Sequence, residues 1–248
     1  MTVLYFSSTG NNLYVAKKIG GAKYSIPALV EKGQYEFKDD CIGIVFPIYG
    51  LCVPPFIEEF IKNLRVECGY FFAIATYGFF PGAVCGQLMQ ICSKNGRTFD
   101  YINRLKMAEN CITFSDMAKQ KGDSAKQQKD LEKILLDIVA KKTFVRKDSF
   151  LGKIMTSHHL EDYEFPTGEG VTGKIKINKN CCGCGTCTKV CPMKNIKLVH
   201  SNPSFEKNCI SCGACLQNCP ANALHHEMEK SSARYRNPHV QLCELMYR

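Results

Sequence analysis

The sequence predicts an α/β chain: an open, doubly wound parallel sheet over residues 1–145, followed by a small α+β domain organised by cysteines. Three observations carry this. In the N-terminal half, short apolar runs alternate with segments of helical period, the pattern of strand–helix units in a parallel sheet. Three of those runs end in loops rich in glycine, hydroxyl or aromatic residues. The C-terminal part holds two cysteine runs of one spacing, CCGCGTCTKVCP from Cys181 to Pro192 and CISCGACLQNCP from Cys209 to Pro220.

The elements follow in order. Thr2 to Phe6 reads as a short buried strand, and Asn11 to Ile19 as a helix with Leu13, Ala16 and Ile19 at helical spacing. Between them lies SSTGNN, Ser7, Ser8, Thr9, Gly10, Asn11 and Asn12. Hydroxyls, a glycine and asparagines at a strand-to-helix turn can present backbone N–H groups to a phosphate monoester at the positive end of a helix. Serine and asparagine also simply cap helices, so both readings stand at this point. A second buried strand, Cys41 to Phe46, runs into PIYGLCVPP, and another, Tyr70 to Ala75, into TYGFFPG. Helical patterns follow each, over Phe56 to Leu64 and Ala83 to Ser93. Ligands of doubly wound sheets bind beyond the C-terminal strand ends, where these loops are delivered. One loop suits a phosphate, and the other two, with Tyr49, Tyr77 and Phe79, suit a planar ring. The shape implied is a mononucleotide with a flat heterocycle.

Thr98 to Met107 reads as a fifth strand, and Ser124 to Lys142 as a long helix with Leu131, Ile134, Leu135, Ile138 and Val139 on one face. Residues 146–170 form a connector. It runs into a GxGxxG of Gly168, Gly170 and Gly173, but an alternating KIKIN follows where a dinucleotide fingerprint needs a helix. The segment reads as a flexible turn. With no better nicotinamide motif in the chain, electrons are expected to arrive from another carrier.

Each cysteine run contains CxxCxxCxxxCP, the spacing that holds a cubane iron-sulfur cluster. Three thiolates at every third position wrap one corner, while the fourth, beside proline, points away. Zinc ribbons use paired CxxC knuckles, and a third cysteine at the same step with a repeated CP ending departs from that plan. Disulfides need an oxidising compartment, and no basic segment followed by an apolar run marks a secretory signal. Cys182 is read as a non-ligand, because choosing it leaves one residue before Cys184 and breaks the repeat. The remaining cysteines, Cys41, Cys52, Cys85 and Cys243 among them, are scattered as buried thiols in a reducing cytoplasm would be.

Residues 171 to 226 closely resemble bacterial two-cluster ferredoxins, with both runs matching ligand for ligand. In those proteins the fourth cysteine serves the other cluster. The resemblance thus implies one [4Fe-4S] cluster on Cys181, Cys184, Cys187 and Cys219, and a second on Cys209, Cys212, Cys215 and Cys191. It also implies a hairpin of Ile196 to Val199 with Pro203 to Phe205, and Ala221 to His225 continuing beside it. Residues 1–145 resemble flavodoxins, on the loop of residues 7–12 and on ring loops after the third and fourth strands. That likeness implies sheet order 2-1-3-4-5 and bound FMN. Its phosphate would sit on Ser7, Ser8, Thr9, Gly10, Asn11 and Asn12. Its isoalloxazine would lie between Pro47, Ile48, Tyr49, Gly50 and Thr76, Tyr77, Gly78, Phe79. TYGFFPG lacks the acidic stretch of ordinary flavodoxins. The whole chain resembles the flavodoxin–ferredoxin fusion proteins of anaerobes, with domains at 1–145 and 171–248.

Charge narrows the partners. Of a formal net +9, residues 171–248 contribute +7, and much of that excess offsets the roughly −2 that each cubane carries with its thiolates. Nucleic acid is not expected as a partner. Lys189, Lys194, Lys197 and Lys207, around the ligands, suit an acidic redox protein. The longest uncharged stretch, Tyr70 to Ser93, is interrupted by polar residues, glycine and proline, so no membrane span is expected. The expectation is a cytoplasmic iron-sulfur flavoprotein coupling one-electron and two-electron carriers, its oligomeric state open and a dimer included. The alternative is a flavin reductase of a small organic acceptor, a quinone, enone or nitro compound, with Tyr49, Tyr77 or the pairs His158, His159 and His225, His226 as proton donors.

Overall fold

A computed structural model describes the chain apart from residues 95, 121, 123, 163–166 and 248, and apart from the side chains of 159–162. The expected connector 146–170 and His159 thus lie partly outside the described residues. The chain divides into two compact units. One comprises Met1–Ser7, Asn12–Ala108 and Asp123–Glu164; the other comprises Ser8–Asn11, Glu109–Gly122 and Phe165–Arg248. The expected division at 145 therefore differs from this one. Most of the expected connector groups with the first unit, while the tip of the residue 7–12 loop and the segment 109–122 group with the second.

The first unit is built from β1 (Thr2–Tyr5), α1 (Asn11–Ile19), β2 (Ala22–Ser25), α2 (Ile26–Glu31), β3 (Glu36–Lys38), β4 (Cys41–Pro47), α3 (Pro55–Asn63), β5 (Arg65–Glu67), β6 (Tyr70–Tyr77), α4 (Val84–Ser93), β7 (Tyr101–Lys106), α5 (Ala125–Val139), β8 (Phe144–Val145) and α6 (Phe150–Asp162). Six strands form a parallel sheet in the order β2-β1-β4-β6-β7-β8. Setting aside the two-residue edge strand β8, this is the order 2-1-3-4-5. The central strands β4 and β6 are buried along almost their whole length, as strands covered on both faces of a parallel sheet must be. β2 is largely exposed, and its sequence AKYS has no apolar run that would reveal it. β3 and β5 form a separate parallel ribbon, also without a sequence signal. Helix α5 ends at Val139 rather than Lys142, because the chain must turn to deliver β8 beside β7.

The stretch after β8 is not a loose connector. Asp148 accepts a hydrogen bond from the Gly86 N–H at 2.7 Å, at the start of α4, and pairs with Arg104 at 3.0 Å. Both side chains are almost buried, so each charge depends on the other. Helix α6 follows and packs its Gly152 against the backbone of Gly82.

The second unit contains α7 (Glu169–Thr172), β9 (Ile175–Ile177), α8 (Thr186–Val190), β10 (Ile196–Val199), β11 (Asn202–Phe205), α9 (Ala214–Gln217) and β12 (Leu224–His226). β10 and β11 form the expected hairpin, turning through His200 and Ser201, both at positive φ. The last strand is a correction. β12 does not continue beside the hairpin but pairs antiparallel with β9, Leu224 opposite Ile177 and His226 opposite Ile175. The KIKIN alternation supplies this partner, and its own edge hydrogen bonds decide where β12 goes. The glycine-rich GxGxxG segment is not a flexible turn either: Gly168, at φ 64°, opens the single helical turn α7.

At the centre of the first unit, Gly43 of β4 lies opposite the fully buried Phe72 of β6, and a Cβ on Gly43 would stand 1.9 Å from the ring. Gly43→Ala is therefore expected to destabilise this unit by roughly 1–3 kcal/mol through overpacking. A lowered urea midpoint at unchanged slope would register it.

Candidate functional site

The two cysteine repeats fold alike. Gly185 and Gly213 occupy the left-handed caps of α8 and α9, at φ 72° and 67°. Two residues earlier, Gly183 and Ser211 also take positive φ, as do Lys194 and Asn222 three residues after Cys191 and Cys219. This repeated conformation curls each CxxCxxC run around one centre. Cys191 accepts a backbone hydrogen bond from Asn195 and Cys219 one from Ala223, each at 3.3 Å and four residues on.

Cys181, Cys184 and Cys187 line a cavity together with Cys219 of the other repeat, closed by Leu198, Pro203, Ala221, Ala223 and Leu224. Cys182 lines it as well, and the side chains of Cys182 and Cys184 are both exposed. Around the second centre the thiols feel one another. Burial pushes Cys212 and Cys215 far up from the ordinary thiol range, and the charges of Cys191 and Cys209 add to it for both. In the first set burial pushes Cys187 up to about 11, with Cys219 and Cys184 adding. Cys184 is the exception, held lower by the Thr186 hydroxyl at 3.4 Å. Thiols held protonated by burial become good ligands only when a cation replaces the proton. Among the described residues no three His, Cys, Asp or Glu side chains close around a single ion. The first set of thiols, with Cys219, lines a small cavity.

The histidine pair of the second unit has structural partners. His225 Nδ1 lies 2.6 Å from Glu229, which also pairs with Arg234 at 3.1 Å. Burial holds His226 below the ordinary imidazole range. Part of the basic excess is likewise committed, Lys197 to Glu206 and Lys207 to Glu169.

The residue 7–12 loop stands where the sequence places it, after β1 and into α1. Ser7, Ser8, Thr9, Asn11 and Asn12 are all buried. In the second unit, Ser8–Asn11 are enclosed by groups from far along the chain. Asn218 donates to the Ser8 carbonyl at 2.9 Å, Asn110 to the Thr9 hydroxyl at 2.5 Å, and the Asn237 N–H to the Thr9 carbonyl at 2.8 Å. Asn11 Oδ1 accepts from the Tyr235 hydroxyl at 2.8 Å and from Asn237 Nδ2 at 3.1 Å. Gly10, at φ +96°, lets the tail approach: a Cβ there would lie 2.9 Å from Val240 Cβ and 3.1 Å from Asn237 Cβ. The loop has the donor types that a phosphate needs, but its surroundings are filled by this chain, so FMN phosphate does not fit it as folded here.

In the first unit, Asn12 accepts from the Thr76 hydroxyl at 2.7 Å, and the Ile48 N–H donates to the Thr76 carbonyl at 2.7 Å. The first ring loop closes as a tight turn in which Tyr49 and Cys52 exchange backbone hydrogen bonds, Gly50 and Leu51 both at positive φ. Pro47, Ile48 and Tyr49 are half-buried and Gly50 is exposed; in the second ring loop Tyr77 and Gly78 are half-buried and Phe79 is exposed. The two loops meet instead of standing apart. A Cβ on Gly82 would lie 2.2 Å from the Leu51 carbonyl oxygen. Thr156 of α6 fastens the pair, accepting from the Ala83 N–H at 2.9 Å and donating to the Leu51 carbonyl at 3.3 Å. The expected ring sandwich is closed at that corner. Sequence reading missed Thr156, Asn110 and Asn218, which carry no local motif. The tail ARYRNPH, whose mixture of Arg and Tyr reads in the sequence as a docked structural tail, is what covers the loop, through Tyr235 and Asn237.

Residues 172–224 match the 4Fe-4S dicluster domain. The match takes in both cysteine runs and makes this an iron-sulfur protein in its C-terminal part. No curated protein sequence matches the chain. Among solved structures it is similar to the Trp repressor binding protein of Bacillus subtilis, at 12% identity and TM-score 0.36 over 60% of this chain and 100% of that one. It is also similar to rubredoxin:oxygen oxidoreductase from the anaerobe Desulfovibrio gigas, at 14% identity and TM-score 0.35 over 56% of this chain and 36% of that one. No described helix is long and apolar enough to cross a membrane.

Cys219 lines the cavity of the first repeat, so Cys219→Ser is expected to perturb the spectrum of any cluster formed at Cys181, Cys184 and Cys187. Cys191→Ser should perturb the other. Electron paramagnetic resonance of the two reduced variants checks this, and loss of only the local cluster in each would refute the crossed arrangement.

Proposed function

We propose that this protein carries two [4Fe-4S] clusters and passes electrons one at a time to and from a redox protein. The observation that carries the proposal is the meeting of Cys219 with Cys181, Cys184 and Cys187 around one cavity, which crosses the repeats as two-cluster ligation requires. When bound, such clusters supply reversible one-electron chemistry. The chain's own residues set the conditions. Eight thiols, Cys181, Cys184, Cys187, Cys219, Cys209, Cys212, Cys215 and Cys191, are the proposed ligands. Val190, Ile196 and Leu216, all buried, keep water from them. The N–H groups of Asn195 and Ala223 donate to Cys191 and Cys219 and favour the more negative form of each ligand set. A cytoplasmic location belongs to the same proposal, since the described cysteines are free thiols.

FMN as the two-electron carrier is the finer part of the reading. Its support is the composition of the 7–12 loop and the hydrogen bond from Asn218, the neighbour of Cys219, to Ser8 of that loop. Its phosphate requires the tail to vacate Gly10 and Asn11, and no step of the one-electron function depends on it. The reductase alternative needs an open ring face with a proton donor, and the closure of the loops at Leu51, Gly82 and Thr156 counts against it.

Anaerobic purification followed by iron, sulfide, zinc and flavin analysis tests the proposal. About eight irons and eight sulfides per chain are expected. Zinc in place of iron, or about four irons, would overturn it.

A further inference from the structure

Strand β8 pairs only with Tyr101 and Ile102, so alongside residues 103–106 the outer edge of β7 has no strand neighbour among the described residues. Helix α5 lies over this edge and lines it with Asp130, Ile134 and Asp137, which share one face at helical spacing. The result is a cavity of about 170 Å³ within the first unit. Its walls are set in place. The Phe144 ring lies 5.8 Å from that of Tyr101, with the Lys142 ammonium 5.7 Å from its centroid. Lys142 in turn donates to Asp137 Oδ1 at 3.2 Å, and the Tyr101 hydroxyl to Asp137 Oδ2 at 3.1 Å. The buried Asn103 donates to the Tyr101 hydroxyl at 2.8 Å and accepts from Arg146 at 3.2 Å. Of the described residues, none from 7–12 or 47–50 lines this space, and Tyr77 alone comes from the loops considered for a ring.

Charge decides what such a space accepts. Lys142 is paired with Asp137 at 3.2 Å and Arg104 with Asp148 at 3.0 Å. The other basic side chains of the lining, Lys106, Lys133 and Arg146, form no ion pair among the described residues, and Asp130 is the one further carboxylate beside them. The cavity therefore holds an unbalanced positive charge. Arg146 stands beside Ile102, its N–H donating to that carbonyl at 2.9 Å, while Lys106 lies roughly 13 Å further along β7. These two cations mark opposite ends of the space that both line. Arg146 gives one N–H to Asn103, which leaves the rest of its guanidinium fork for a planar carboxylate. Between the ends, Ile134, Phe144 and Tyr77 offer an apolar and aromatic wall that suits a carbon body. A cavity of this size takes a molecule about as large as benzene. We propose that it binds a small organic dicarboxylate, one carboxylate on Arg146 and the other toward Lys106 and Lys133. Neither the clusters nor a flavin enters this assignment.

Isothermal titration of the full chain at physiological salt, with succinate, neutral succinamide and inorganic phosphate in turn, tests the proposal. Succinate is expected to bind and succinamide not to. Arg146→Ala and Lys133→Ala, both at exposed positions, are each expected to weaken succinate binding about tenfold. Arg146→Lys, which keeps the charge but loses the fork, should recover only part of that loss. Lys126→Ala removes a lysine of the same helix that lies outside the lining, and should leave the affinity unchanged. Circular dichroism checks that each variant folds. If phosphate binds as tightly as succinate, charge alone is recognised and the dicarboxylate is refuted. If succinate does not bind, or if Lys126→Ala weakens it as much as Lys133→Ala, the cavity is no binding site and the proposal falls. Should Arg146→Ala not fold, Lys133→Ala and the succinamide comparison decide.

Discussion

The second unit is organised by thiols that must be desolvated without being left charged. Cys212 and Cys215 are half-buried, and desolvation with the neighbouring thiols pushes both up from the range in which they would ionise. A buried thiolate without a cation is among the costlier groups a small domain can hold, and the domain has little apolar core with which to offset that cost. The proposed clusters would resolve the conflict by sharing that charge with the thiols. The positive-φ positions at Gly183, Gly185, Ser211 and Gly213 recur in both runs, and Cys219 lines the cavity of the other run.

In the first unit the constraint is the ordinary one of a parallel sheet covered on both faces. β4 and β6 run apolar from end to end, and Gly43 exists because Phe72 needs its space. What departs from a plain doubly wound sheet is α6. Its Thr156 ties the loop after β4 to the loop after β6, and its Gly152 lets the helix sit down on Gly82. The buried Arg104–Asp148 pair anchors the segment leading into it. The strand ends that would receive a ring are thus stapled to each other.

The loop of residues 7–12 shows how one local sequence can serve two purposes. Its hydroxyls and asparagines suit an anion, and its glycine permits a close backbone approach by whatever partner arrives. In this chain the partner that arrives is Asn237 with Val240. Asn218 bonds the same loop from beside Cys219, so a proposed cluster ligand and the loop tip share one hydrogen-bonded neighbourhood.

By itself the sequence determined what periodicity and spacing encode: the strand–helix alternation, the sheet order through its likeness to flavodoxins, and the repeated CxxCxxCxxxCP. These are local signals, and each was legible because a buried strand or a ligand set tolerates few other residue patterns. Edge elements were not legible. AKYS of β2 and the ribbon of β3 with β5 have no apolar run, since an exposed strand is chosen by its neighbour's hydrogen bonds and not by its own side chains. Tertiary structure alone decided that β12 pairs with β9, that Thr156 joins two loops, and that residues 235–240 occupy the loop tip. Each of these depends on groups tens to hundreds of residues apart whose meeting is set by packing, and single residues such as Asn218 and Thr156 carry no periodicity that could announce it.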